Sequence, residues 1–490
     1  MAELEGKDMQ GLLMSGYLHL SCANFMLLRI TDGEAARRWL ARLIERVTTG
    51  EGKQEGTSLN VAFTHRGLRN LGLDADTLDT FSRAFIEGMA TPHRSRILGD
   101  AFENAPANWD WGGNDESKVI DVLLMLYAVD ETTLEELLRE QRANFTASGM
   151  IEVLSLGAGR QPDINEHFGF ADGMGQPVIE GAPKSNEALP RNLIKAGEML
   201  LGHINDYGKP ADSPLVKPER DPQHLLDDAS AFEVTPDAMT VMRDLGRNGT
   251  YLVFRQLAQN VADFWKFLDE ATVGPDGQPD RAASTRLAAK LVGRWPSGAP
   301  LVMSPDEDNP ALAKEDDFGY FESDARGFAC PIGSHIRRSN PRDALGPDSA
   351  TALASANRHR ILRRGRSYGH RQPDPRVDDG VPRGLHFICL NGDIERQFEF
   401  VQQTWVNNPV FGGLHGEVDP IIGHLDKGDA IMTVQADPLR TRVHNMRRFV
   451  TVKGGAYFFL PSIKGLRYLA SLGTAEESGV AGGVLGARPL

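Results

Sequence analysis

The residue types most able to hold a reactive group gather between Cys330 and Gly369. The stretch opens Cys330-Pro-Ile-Gly-Ser-His335-Ile-Arg-Arg-Ser-Asn340-Pro341-Arg342 and closes Arg360-Ile-Leu-Arg363-Arg-Gly-Arg-Ser-Tyr-Gly369. One histidine stands in a Gly/Ser turn, and a dense set of arginines follows it. His359 and His370 are not at ligand spacing from His335, and no Cys-x-x-Cys occurs, so a zinc site is disfavoured. One axial nitrogen beside several guanidinium groups suits haem, which needs a single iron ligand, partners for two propionates and a distal pocket of set polarity. The same residues also suit a structural histidine next to a solvated arginine run. Residue types alone do not decide between the two.

A second stretch reads Glu166-His-Phe-Gly169-Phe-Ala-Asp172-Gly173-Met174-Gly175-Gln-Pro177. Three glycines around one aspartate let the backbone approach a ligand and hold a carboxylate at its rim. Taken alone, Gly-x-x-Asp-Gly equally describes an aspartate that caps its own turn.

The elements that must position these groups follow from periodicity. Strands are expected at Asn24–Ile30, Ser58–Phe63, Val119–Val129 and Met150–Leu156. A helix opened by the capping box Thr31-Asp-Gly-Glu34 separates the first two, and a helix over Glu131–Gln141 the last two. The order β-α-β-β-α-β then starts again. Gly249–Gln256 is a strand, and a helix carrying Val261, Phe264, Trp265 and Leu268 follows. Leu385–Leu390, a helix over Asp393–Trp405 and Tyr457–Leu460 complete the second unit, with Phe328–Ile336 as its missing second strand. The expected fold class is therefore α+β, a duplicated pair of ferredoxin-like modules of the dimeric α+β barrel type. Residues 1–235 would form an N-terminal module with Asp172, and residues 236–490 a C-terminal module with His335 and Arg363. Residues 1–20 read as a polar lead-in and 80–117 as loop. Residues 205–240, 270–326 and 407–450 read as long loop insertions. The Gly/Ala-rich tail 475–490 reads as a flexible end and a docking segment for a partner at most.

Composition narrows the function classes. A net charge of −14 over 490 residues argues against a nucleic-acid partner, so the clustered arginines should face a small anionic ligand. Three widely spaced cysteines argue against a disulfide framework and fit a reducing compartment. The start MAELEGKDMQG lacks a basic segment followed by an apolar one, so no signal peptide is expected. Val119–Val129 is too short to span a bilayer and is broken by Asp121. The expectation is a cytoplasmic protein without a membrane partner, and a homo-oligomer stays open.

Together the two stretches resemble the dye-decolorizing peroxidase family. Gly169-Phe-Ala-Asp172-Gly173, Gly-Ser-His335-Ile-Arg-Arg-Ser-Asn-Pro-Arg342 and Ile-Leu-Arg363-Arg-Gly-x-x-Tyr-Gly369 carry the resemblance. Gly197-Glu-Met-Leu-Leu-Gly202, Asn248-Gly-Thr-Tyr-Leu-Val-Phe-Arg-Gln256, Gly298-Ala-Pro-Leu-Val302, Asp393-Ile-Glu-Arg-Gln-Phe-Glu399 and Gly454-Gly-Ala-Tyr-Phe-Phe459 extend it in the family's order. It covers nearly the whole chain, from about Phe25 to Leu469. One departure is Ser367, where the family often has proline before the Tyr-Gly that follows the distal arginine.

The resemblance implies one haem b per chain and a peroxidase that reduces hydrogen peroxide and oxidises phenolic, dye-like or other aromatic one-electron donors. It implies His335 as the proximal iron ligand and Asp172 with Arg363 as the distal pair. Gly173, Met174 and Gly175 would line the haem edge. Asn340, Pro341 and Arg342 would lie beside the macrocycle, with Arg342 a partner for a propionate. A peroxidase also wants a carboxylate on the other nitrogen of its proximal histidine; Asp393 and Glu395 are the candidates. Bulky donors would need electrons to hop through surface aromatics, for which Trp265, Trp405, Tyr368 and Tyr457 qualify unless they are core residues. Two other readings stay in view: a haem-capturing, iron-releasing protein with incidental peroxidase activity, and a cofactor-free ferredoxin-like binding module.

Overall fold

In the first strand (β1, Cys22–Ile30), Phe25 and Leu27 face one way and Met26 and Leu28 the other, and all four are fully buried. Burial on both faces is why such strands read as unbroken apolar runs rather than as alternating ones. The computed structural model of the chain describes residues 3–473 apart from 53–54, 162, 231–240 and 426–429. After β1 come α1 (Gly33–Leu43), β2 (Thr57–Phe63), β3 (Val122–Ala128), α2 (Glu131–Phe145) and β4 (Met150–Gly159). Asp32 caps α1 by accepting the Ala35 amide, in place of the expected Thr31. The second unit runs β5 (Thr250–Gln259), α3 (Val261–Ala271), the short helix α4 (His335–Ser339), β6 (Leu362–Arg363), β7 (Arg366–Tyr368), β8 (Gly384–Asn391) and β9 (Val450–Leu460), with α5 (Ile463–Ser471) behind it.

The expected duplication is present. In each half the strands lie in the spatial order fourth, first, third, second: β4-β1-β3-β2 and β9-β5-β8 with β6 and β7. Pairing of β9 with β2 at Phe459–Phe63 and of β7 with β4 at Ser367–Gly159 joins the halves into a closed barrel. Its interior holds Phe25, Leu27, Leu123, Met125, Tyr127, Phe254, Ile388 and Phe458. The opposite strand faces pack under α1, α2 and α5.

Several expectations are corrected. Phe328–Ile336 is not the second strand of the second unit; β6 and β7 are. Asp324 takes up the amides of Ala329 and Cys330 at 3.0 and 2.9 Å, Pro331 has no amide and Ile332 N donates to the Gln435 side chain, so these four consecutive positions offer no donor to a ladder. The expected polar lead-in is, over its described residues 3–20, part of the core. Met9, Leu12, Leu13, Tyr17 and Leu20 are buried in the barrel cluster, and the Gln10 side chain donates to both Val61 O (2.8 Å) and Pro461 O (2.9 Å). Short helices Arg83–Glu87 and Pro92–Leu98 interrupt 80–117, and a helix over Arg281–Val292 interrupts 270–326. The expected helix over Asp393–Trp405 is present as a wide π-type helix, with Glu399 N donating to Ile394 O. Such stretches are rare and cluster at functional sites. The expected module boundary between 235 and 236 and the tail 475–490 lie outside the described residues. Among the described residues no helix is long and apolar enough to cross a membrane.

Candidate functional site

The 166–175 loop is folded by its own side chains. Glu166 accepts the amides of Phe168 (2.8 Å) and Phe170 (3.0 Å), and Asn165 donates to Gly169 O (2.9 Å). Gly169 and Gly173 sit at φ 99° and 90°, where a side chain would be strained, so the chain can reverse on either side of Asp172. The Asp172 carboxylate then meets Arg363, which reaches in from β6. Arg363 Nη1 donates to Asp172 Oδ1 at 2.9 Å, and Nη2 donates to Met174 O at 2.8 Å. Gly173 N donates to the same Oδ1 at 2.6 Å. Among the described residues Asp172 Oδ2 accepts no hydrogen bond, so one oxygen stays available. Burial raises the Asp172 pKa, but the Arg363 charge and the Gly173 amide outweigh it and hold the carboxyl below its ordinary value.

His335 opens α4 and lines, together with this pair, a shared cavity of about 280 Å³. Its Nδ1 lies 2.9 Å from Asp419 Oδ2, and the Asp419 side chain is fully buried. Burial lowers the imidazole pKa, yet the adjacent Asp419 carboxylate overrides it and the net shift is upward. Asp419 in turn is held below its usual range despite burial, by His335 and by the amides of Ile421 (2.8 Å) and Ile422 (2.9 Å). With Nδ1 committed to a carboxylate, Nε2 is the nitrogen with a free lone pair.

Of the residues expected at the site, Asp172, Met174, Gly175, His335, Asn340, Arg342 and Arg363 all line this cavity. Gly173 stands exposed at its edge, and Pro341 is buried without lining it. Arg342 already has a carboxylate partner. Its guanidinium ion-pairs with Asp316, donates to Phe318 O (3.1 Å) and stacks on the Phe318 ring at 3.8 Å. Arg360 is the cavity arginine without a carboxylate at ion-pair distance among the described residues. It is buried, donates to Gly175 O (2.6 Å), and burial with the nearby Arg342 charge pushes its pKa down to about 9.

The expected partners of the histidine are elsewhere. Asp393 accepts the Arg396 amide (2.9 Å) at the start of the π-type helix, and Glu395 ion-pairs with Arg94 (2.6 Å). Asp419 takes their place, 84 positions from His335. Its one local signal is Asp-Pro before two isoleucines, the pattern of an aspartate that turns the chain onto its own amides. The expected surface aromatics are largely core. Trp265, Trp405 and Tyr457 are 7%, 7% and 3% exposed, and Tyr368 is half-buried.

No family model matches the chain. A dye-decolorizing peroxidase of Mycena epipterygia is 31% identical over 456 residues, 85% of this chain and 76% of that protein. A solved ancestral D-type dye-decolorizing peroxidase superposes with a TM-score of 0.74 at 28% identity, covering 95% of this chain and 99% of the other. A deferrochelatase of Yersinia pestis is 32% identical over only 107 residues, 22% of this chain and 20% of its own length. Identity at that level along most of the length, on the same duplicated fold, places this chain in the dye-decolorizing peroxidase family, and it is an oxidoreductase of the haem-dependent peroxidase class.

Proposed function

We propose that the cavity holds one haem b with His335 Nε2 as its iron ligand, and that the protein reduces hydrogen peroxide while oxidising phenolic or dye-like donors. The observation that carries the reading is the paired arrangement around one cavity: a histidine backed by a buried carboxylate, and an aspartate–arginine pair in the same lining. The remaining lining suits a flat apolar group with acidic arms. Leu257, Leu385, Phe387, Phe398 and Val450 give apolar walls, and Arg360 is a buried cation with no carboxylate at ion-pair distance among the described residues. Arg360 would hold an anionic arm; Gly175 and Met174 would border the group on the Asp172 side, and Asn340 with Arg342 on the His335 side.

Bound haem would supply the two-electron reduction of peroxide and its return by two one-electron donors. The protein's own groups do the rest. Asp172, kept ionised by Arg363, takes a proton from incoming peroxide at Oδ2 and returns it to the departing oxygen. Arg363 is permanently charged and only donates, so it steadies the negative charge that grows as the O–O bond lengthens. Asp419 orients the His335 ring and raises its basicity. The test is the absorption spectrum and haem stoichiometry of purified protein, beside His335→Ala. A Soret band with one haem per chain, lost or shifted in His335→Ala, is expected. A wild-type spectrum in the variant would overturn the assignment.

A further inference from the structure

Arg338 is fully buried, and among the described residues no carboxylate lies at ion-pair distance from it. It sits on α4, three residues after His335. Nη1 donates to Trp405 O (2.8 Å) and Asn408 O (3.1 Å), and Nη2 donates to Glu417 O (2.6 Å). The guanidinium lies 5.0 Å from the Phe411 ring centroid. These acceptors belong to the last turn of the π-type helix and to the excursion of the chain that follows it. It leaves the π-type helix at Val406 and returns at Asp419, whose amide closes the neck by donating to Val406 O at 2.9 Å. Trp405 O lies in the last turn of that helix, where carbonyls lack helical partners. The Glu417 carboxylate is turned away, taking the Thr433 amide (2.7 Å) and hydroxyl (2.6 Å). The next residue but one is Asp419.

We propose that Arg338 is the positioning residue of the proximal pair: its planar fork ties the 405–419 loop to α4 and thereby sets the 2.9 Å hydrogen bond between His335 and Asp419. A guanidinium fits because its fork can hold carbonyls from separate parts of the loop in one plane, which an ammonium cannot. The inference rests on His335 as the iron ligand.

Positioning and charge act in opposite directions, which makes the proposal testable. A strong hydrogen bond from the ligand histidine to a carboxylate favours ferric iron, so loosening it raises the midpoint potential. A buried cation near the iron favours the ferrous state, so deleting its charge lowers the potential. Arg338→Lys keeps the charge and removes the fork. In the full-length haem-loaded protein it should raise the ferric/ferrous midpoint potential and lower the iron–histidine stretching frequency, in the same direction as Asp419→Asn. Arg338→Lys combined with Asp419→Asn should go no further than Asp419→Asn alone. An unchanged or lowered potential in Arg338→Lys, or additive shifts in the double variant, overturns the proposal. If Arg338→Lys fails to retain haem, Phe411→Leu removes the ring under the guanidinium instead: a smaller shift of the same sign supports the proposal, and no shift overturns it. If Asp419→Asn itself moves neither quantity, the proximal assignment falls and this proposal with it.

Discussion

Arg363 and Asp172 should behave as one unit toward peroxide. Replacing Arg363 with leucine removes a donor for developing charge, an effect of roughly 10²–10³-fold. Replacing Asp172 with asparagine removes the proton acceptor, roughly 10²–10⁴-fold. Were the two independent, the double variant would lose the product of these factors. They are joined by a 2.9 Å ion pair, so Arg363→Leu also releases the carboxylate that it aims. Two charges ~4 Å apart couple by ~1 kcal/mol in water and ~4 kcal/mol at an effective dielectric of 20. The Arg363 and Asp172 side chains are 35% and 43% exposed, which calls for the lower part of that range, about 1–2 kcal/mol. At about 1.4 kcal/mol per tenfold, the double variant should react ~5–30-fold faster than the product of the singles implies. The assay is the second-order rate of the peroxide-driven Soret change by stopped flow. Strictly multiplicative losses would refute the coupling. Singles within a few-fold of wild type would refute the distal pair itself.

Three further outcomes follow from the same geometry. Asp172 is held below its ordinary value of 3.8, so its base form should persist as pH drops past that value and be lost only as pH falls through the depressed one. The acid limb of the peroxide rate should therefore move to higher pH in Arg363→Leu, and a limb that stays put would show that another group controls it. Arg360→Met should speed haem loss to an apo-globin scavenger more than Arg342→Met does, because Asp316 already engages Arg342. Phe254→Ala, at a fully buried barrel position 5.0 Å from Trp111 and 5.5 Å from Phe25, should cost roughly 3–5 kcal/mol in denaturant melts.

How much of this was legible in the sequence depended on whether the signal was local. Runs such as Val122–Ala128 announce strands because both faces are buried, and the repeated order of elements revealed the duplication. The second strand of the second unit escaped because β6 and β7 are two and three residues long, with Arg363, Arg364 and Arg366 where apolar residues usually mark a strand. Phe328–Ile336 took its place as the stretch left over for the missing strand, although Pro331 and Gly333 argue against it. The motifs singled out Asp172, His335 and Arg363, which line one cavity. Asp419 was not, since its pairing spans 84 positions and its loop carries no periodicity. Arg360 and Arg338 were visible only as members of an arginine run; burial, which sequence does not display, separates them from solvated neighbours. The same holds for residues 9–20, whose role at the end of the barrel depends on contacts such as Gln10 with Pro461.

The most direct test of the central claim is a single-turnover titration. One equivalent of hydrogen peroxide is added to the ferric haem-loaded protein, followed by a methoxyphenol, with oxidised donor, Soret absorbance and free iron all measured. Peroxide takes up two electrons and two protons to give two waters, and each donor surrenders one electron. Two donors oxidised per peroxide, full recovery of the starting Soret band and no iron released are expected. Release of iron or bleaching of the band without donor oxidation would contradict the proposed function and would favour a haem-dismantling protein instead.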